Sequence, residues 1–180
     1  ELYLAEIYSN IIYNDQSLEA TDELVKNTQL LSNSDYANYI AALGYLKSNN
    51  LSEAQKFINA AIAMNGDNLN YQKLKAEILA HGIKPKEALA IVEMLKHQPL
   101  NSKDFSDKIN SIEQYILYKA EKKDIQRSYH LGYYYYYEGE LTKSIRTLQI
   151  AALAKKKTDK DIYAIISRVY YDMNEFEKAQ

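Results

Sequence analysis

The chain contains no cysteine. Disulfide frameworks, cysteine-ligated zinc, iron–sulfur clusters and thiol catalysis are therefore excluded. Glycine and proline are scarce, at five and two residues in 180, against roughly 12% of average usage. A β-sandwich, a barrel or an active site built on loops needs more turn residues than that. Tryptophan is absent and phenylalanine occurs three times. No apolar run approaches the ~20 residues that span a bilayer, so no membrane insertion is expected. What the chain has instead is tyrosine: 18 residues, within an apolar fraction of 47%. Their hydroxyls help explain a mean hydropathy of −0.47.

The net charge of −2 is unevenly spread. Residues 1–68 carry 3 basic and 9 acidic side chains, and residues 69–180 carry 19 and 15. A polar surface field is possible, but nothing resembles the basic footprint of a general nucleic-acid binder. No basic-then-apolar leader opens the chain. It starts at Glu1 and stops at Gln180 inside an amphipathic pattern, which leads to the expectation of a piece of a longer protein. Compartment is left open.

A period emerges from the small residues. Ala20, Ala54 and Ala88 are spaced by 34 and 34, and Ser144 and Ala179 continue the series after 56 and 35. Large residues follow four positions later: Leu24, Ile58, Val92 and Leu148. Nine positions earlier stand Ile11, Tyr45, Leu79, Tyr135 and Tyr170, and twelve earlier Tyr8, Ala42, Ala76, Gly132 and Ser167. Five before each small residue lies a turn former, namely Asp15, Asn49, Gly139 or Asn174, with Gly82 one place early in the third copy. Asn, Asp and Gly tolerate the left-handed backbone that ends a helix. Each unit therefore reads as helix, tight turn, helix, closing where small residues face each other. One pair cannot bury its own apolar face and must stack on the next.

Tyr39–Ala61 and Tyr129–Ala151 resemble tetratricopeptide repeats, through the 34-residue period and the order small, large, turn, small, large. Tyr8, Asn27 and Lys75 depart from the pattern in the weaker copies. The expected fold is all-α: a right-handed α-solenoid in one domain over residues 1–180. Its repeats are 1–34, 35–68, 69–102, 125–158 and a truncated 159–180. The expected helices cover about 2–14, 17–31, 35–48, 51–64, 69–81, 85–97, 103–121, 125–138, 141–155 and 160–173. Ser52, Asp124 and Thr158 or Asp159 are candidate N-caps, and Pro85 suits a first helical turn. Residues 103–121 read as one solitary extra helix, because Phe105, Ile109, Ile112 and Ile116 recur at helical spacing. It fills a bend between repeats, or else it caps the first three repeats or docks a partner. A hairpin of 103–121 with 125–138 is rejected, since Gly139 and Ser144 put 125–138 before a repeat-type turn.

The sequence carries no reaction motif, and the expectation is a protein without enzymatic activity. His81, His97 and His130 include no pair at i+3 or i+4, so no helical metal site is formed. The five glycines make no phosphate-cradling loop. Glu138 and Glu140 flank a turn glycine and read as a solvated helix end. Lys155–Lys157, with Lys160, read as complement to a helix C-terminus, or as a phosphate or anionic-lipid contact. No cofactor and no metal are expected.

The run Tyr133–Tyr137 is the least ordinary feature. Successive residues step by about 100° around a helix, so five cannot share one core face. Leu131 and Tyr135 fall in packing columns, with Tyr135 expected to be buried, and Tyr134 should meet the helix 103–121. Gln126, Tyr129, Tyr133 and Tyr136 form another stripe, bordered by Tyr137. The resemblance implies that first helices line a concave groove. The same phase then selects Tyr36, Tyr39, Leu43 and Leu46 in the second copy and Lys73, Glu77 and His81 in the third. It selects Arg168 and Tyr171 in the last, and Ala5, Ser9, Ile12 and Tyr13 in the first. The carboxylate clamp common in such arrays needs Lys, Asn and Arg at groove positions, and Ala5 and Ser9 do not supply it.

The leading expectation is thus an interaction module that holds a peptide or a segment of a partner protein, as a scaffold or assembly factor. Tyrosine offers a large apolar area with little rotamer entropy and one hydroxyl, which suits recognition. The alternatives are single-stranded RNA or glycan stacking on the rings, or a regulatory domain of a larger enzyme. Near-neutral charge counts against RNA. Ile162, Tyr163, Ile166 and Tyr170 are expected to leave an open apolar side near the C-terminus, with weak self-association through it.

Overall fold

Helix boundaries follow from where the backbone is forced out of the right-handed region. In the computed structural model, which describes residues 2–13, 17–82, 84–99, 102–154 and 160–179, Asn49, Gly139 and Asn174 have φ of +59°, +77° and +60°. These are three of the four expected turn residues; Asp15 lies outside the described residues. The hydrogen bonding repeats with them. Asn50, Glu140 and Glu175 each donate their N–H to the carbonyl five residues back, on Tyr45, Tyr135 and Tyr170, at 2.8, 2.9 and 2.9 Å. This is the Schellman closure, which satisfies carbonyls that a helix end leaves open. Gly82 behaves differently. Its φ is −81° and it ends its helix in extended backbone, so it is not the left-handed turn that its near-match to the column suggests.

Eleven helices are described, and no strand lies among the described residues. They are α1 (Leu2–Tyr13), α2 (Ser17–Lys26), α3 (Thr28–Asn33), α4 (Asp35–Lys47), α5 (Leu51–Met64), α6 (Leu69–His81), α7 (Pro85–Lys96), α8 (Lys103–Ala120), α9 (Asp124–Tyr137), α10 (Leu141–Ala154) and α11 (Lys160–Asp172). The expected helix at 17–31 is divided in two. The Asn27 side chain accepts the Leu30 N–H at 3.1 Å and starts α3, the local competition that makes Asn a helix breaker. Two expected caps are also corrected. Asn50, not Ser52, caps α5 by accepting from the Glu53 N–H, and Asp124 is the first residue of α9 with Lys123 at the cap position. Thr158 and Asp159 lie outside the described residues.

The chain divides into two units, Glu1–Ile91 and Val92–Gln180, with the division inside α7. In the first unit, α4 packs against α5 over its length, and also against α1, α2, α3 and α6. Its core includes Ile7, Ile11, Leu24, Ile40, Tyr45, Ile58 and Leu74. Ala42 and Ala54, the two small columns, are fully buried.

In the second unit, α9 lies between two antiparallel neighbours, α8 and α10, and α11 packs on both α10 and α9. The helix at 103–121 is therefore present but is not solitary. It runs against α9 through Tyr115 with Tyr134, His130 with Gln114, and Lys108 with Glu138. The hairpin with 125–138 and the repeat-type turn after it coexist, because α9 uses opposite sides for its two neighbours. The α9–α10 contact is backbone-close. Ser144 donates its hydroxyl to the Gly132 carbonyl at 2.8 Å, and a Cβ on Gly132 would lie 2.5 Å from Leu148 Cγ. The core joins Ile145, Leu148 and Ala151 to Ile162, Ile165, Ile166 and Val169. The expected open side of α11 is thereby corrected: Ile162 and Ile166 are buried, Tyr170 is half-buried, and Tyr163 alone of the four is exposed.

Two stability tests follow from the turn and the small columns. At Gly139 nothing lies within 4 Å of an added Cβ, so backbone conformation alone sets the cost. Gly139→Asn should leave the thermal midpoint near wild type, as Asn49 and Asn174 do in the same turn, whereas Gly139→Val should cost about 1–2 kcal/mol. Ala54→Leu should cost about 1–3 kcal/mol by overpacking a buried position. Ala63→Leu, on an exposed position of the same helix, should stay within about 0.5 kcal/mol. Denaturant melts of the four variants check both orders.

Candidate functional site

The candidate residues fall into two sets, one in each unit. In the first, Asp35 begins α4 and places Tyr36 and Tyr39 on consecutive turns. The rings of Tyr36 and Tyr39 stack at 6.0 Å, and Tyr39 stacks in turn on Tyr71 of α6 at 5.1 Å. Asp35 accepts from the Asn65 amide at 2.9 Å and from the Tyr36 N–H at 2.8 Å. These bonds, the Asn65 one foremost, hold its carboxyl below the ordinary range. Burial, reinforced by neighbouring negative charge, pushes the Tyr39 and Tyr71 phenols up to about 12.

Of Tyr36, Tyr39 and Tyr71, Tyr36 is exposed. Leu43 and Leu46 are half-buried against the core. Lys73 donates to Asn70 at 3.1 Å, and Glu77 lies near Tyr39. Ala5 and Ser9 are exposed and His81 is half-buried; the side chains of Ile12 and Tyr13 lie outside the described residues. Tyr71 was missed because it stands outside the phase that selects Lys73, Glu77 and His81 on the same helix. It is core, yet its ring face is what Tyr39 stacks on.

In the second unit, the α9 stripe forms a chain of ring contacts. Tyr129 meets Tyr133 at 4.8 Å, Tyr133 meets Tyr137 at 6.3 Å, and Tyr137 meets Tyr136 at 5.2 Å. One edge of Tyr129, Tyr133 and Tyr136 packs on the core of α10 and α11, and all four rings are half-buried. Burial, then a hydrogen bond with the Tyr129 hydroxyl, holds the Tyr133 phenol well above its ordinary range. The Tyr136 hydroxyl donates to Asp172 at 2.9 Å. Arg168 Nε lies 3.7 Å from the same carboxylate. Tyr171 is 60% exposed, with its ring against Phe176. Tyr135, expected to be buried, is half-buried beneath the Lys143 ammonium at 5.8 Å. Tyr134 meets α8, as its position implied.

Gln126 borders the stripe through His130. His130 Nδ1 donates to Gln114 Oε1 at 2.8 Å, and Gln126 Nε2 lies 3.4 Å from His130 Nε2 as its donor. The Gln126 contact requires a neutral imidazole, because Nε2 can accept only when it carries no proton. His130 was weighed only as a metal ligand and Gln114 was not singled out, since two polar residues at the α8–α9 seam become partners only once the helices pair. Among the described residues no group of three His, Asp or Glu side chains is placed to hold a metal ion, and no helix is long and apolar enough to cross a membrane.

A scan against protein-family models finds no family that matches the chain, and a search of the curated proteins finds no match.

The seam histidine makes stability depend on pH. Burial lowers the His130 pKa in the fold below the ordinary 6.5. Above that value both states are neutral and the seam is intact. As pH falls below about 6.5, the unfolded chain takes up the proton first and stability declines. Thermal midpoints between pH 8 and pH 5 should show this loss. His130→Gln should remove that part of the slope.

Proposed function

We propose that this chain is a tetratricopeptide-type helical-repeat module, a right-handed solenoid in its finer architecture. Its tyrosine face on α9 and α11 holds an extended or helical segment of another protein. It works by binding rather than by catalysis. The observation that carries the reading is the ring chain Tyr129–Tyr133–Tyr137–Tyr136, half-exposed and bordered by Arg168 and the Tyr136–Asp172 hydrogen bond. Rigid aromatic rings with polar tips give contact area at low entropic cost, and aromatic and arginine side chains dominate binding energy at interfaces. The recurrent turns and the buried small columns support the repeat type.

The direct experiment is display selection of peptides on the full chain. Selected peptides should lose on the order of tenfold in affinity with Arg168→Ala or Tyr171→Ala, both exposed side chains, at an unchanged thermal midpoint. Tyr133→Ala is a poor test, because the ring also packs on the core. Peptides indifferent to both variants, or selective retention of an oligonucleotide or oligosaccharide, would overturn the reading.

A further inference from the structure

A second surface lies on α10, away from the tyrosines. The core side of this helix is Ser144, Ile145, Leu148 and Ala151. Its opposite side carries Lys143, Arg146, Ile150 and Leu153 at spacings of 3, 4 and 3, one stripe of a helix. Ile150 is 62% exposed and Leu153 87%, the most exposed of the large apolar residues described. Lys143 has Glu140 at 3.2 Å, with both groups largely in water. The sequence from 141 to 158 holds five Lys or Arg and no Asp or Glu. Single exposed apolar residues are ordinary; two on adjacent turns inside a purely basic stretch form a patch of definite chemistry.

The same chain carries the complement. Residues 1–25 contain six Asp or Glu and no Lys, Arg or His. Within them the solvent side of α2 presents Leu18, Glu19, Asp22 and Glu23, all exposed. Tyr3 of α1 is exposed beside the Glu6 and Glu23 carboxylates. Each surface pairs exposed apolar side chains with charge of one sign, and the signs are opposite. Two copies meeting through α10 alone would oppose like charges. The matched contact is therefore heterologous, α10 of one copy on α1–α2 of another, and such a contact leaves the pair with one surface of each kind still open.

We infer that the α10 surface of Arg146, Ile150 and Leu153 docks on the acidic α1–α2 surface of a second copy of this chain, giving a head-to-tail association driven by charge and finished by apolar contact. Charge matching of this kind sets register and encounter rate, and it is sensitive to salt.

The test is sedimentation velocity on the full chain over a wide concentration range. It is run at about 0.01 M ionic strength and at about 1 M, where the Debye length falls from about 30 to about 3 Å. Average mass should rise with concentration at low salt and fall back at high salt. Arg146→Glu with Leu153→Glu, and separately Glu19→Lys with Glu23→Lys, should each weaken association about tenfold or more. All four positions are exposed, so the thermal midpoint should hold and guards against misfolding. Mixing the two variants should restore association, because the unaltered α10 surface of one still matches the unaltered α1–α2 surface of the other, and the two reversed surfaces match as well. A wild type that stays monomeric at low salt overturns the inference. So does association that survives Arg146→Glu with Leu153→Glu, or a mixture that stays monomeric. Vesicles containing anionic lipid, run in parallel, separate the other reading: wild type that binds vesicles but not itself would assign the α10 surface to a membrane face instead.

Discussion

At the centre of the second unit the Leu148 side chain of α10 lies so close over α9 that only a glycine fits beneath it. Gly132 faces Leu148 with no room for a Cβ, and Ser144 fills the rest of the contact with a hydrogen bond to the Gly132 carbonyl. Interiors pack at crystal-like density, so a contact this close sets the positions of the groups around it. It holds α9 against α10 in one rotation. That rotation turns Tyr134 toward α8 and sends Tyr129, Tyr133 and Tyr136 to the edge of the α10–α11 core. The tyrosine face is in this sense a consequence of a glycine.

The left-handed turns do the complementary work along the chain. Asn49, Gly139 and Asn174 close their helices with the same hydrogen bonds. In each case the residue after the turn residue donates its N–H to the carbonyl of a tyrosine in the packing column, Tyr45, Tyr135 or Tyr170. Helix end and core register are thereby linked. After Gly139 the turn leads directly to Leu141, where the next helix begins, so the facing small residues meet at a set distance from the turn.

Half-burial gives the tyrosines a double character. Tyr39 is held between Tyr36 and Tyr71 with its phenol raised by desolvation, and its ring serves mainly to join α4 to α6. Tyr133 and Tyr136 likewise pack on a core edge, yet each keeps part of its ring in solvent. Tyr171 and Tyr36 are the more open. The more buried and the more open tyrosines are thus separated by their place and rotation on their helices rather than by their chemistry.

The helix positions, the turn residues at Asn49, Gly139 and Asn174, and the buried small columns at Ala42, Ala54, Gly132 and Ser144 are readable from the sequence. Each depends on local backbone preference or on a spacing that repeats. The break at Asn27 escaped, because a side chain that can cap also tolerates a helix interior, and local sequence does not settle which it does. What tertiary structure alone decided is which side of each helix meets which neighbour. The pairing of α8 with α9 was rejected on the strength of a turn after Gly139, yet a helix has room for a neighbour on either side. The burial of Ile162 and Ile166, the exposure of Ile150 and Leu153, and the half-exposure of Tyr135 all follow from that choice. Periodicity shows that a helix has an apolar side; only the packed neighbours determine how much of that side is covered.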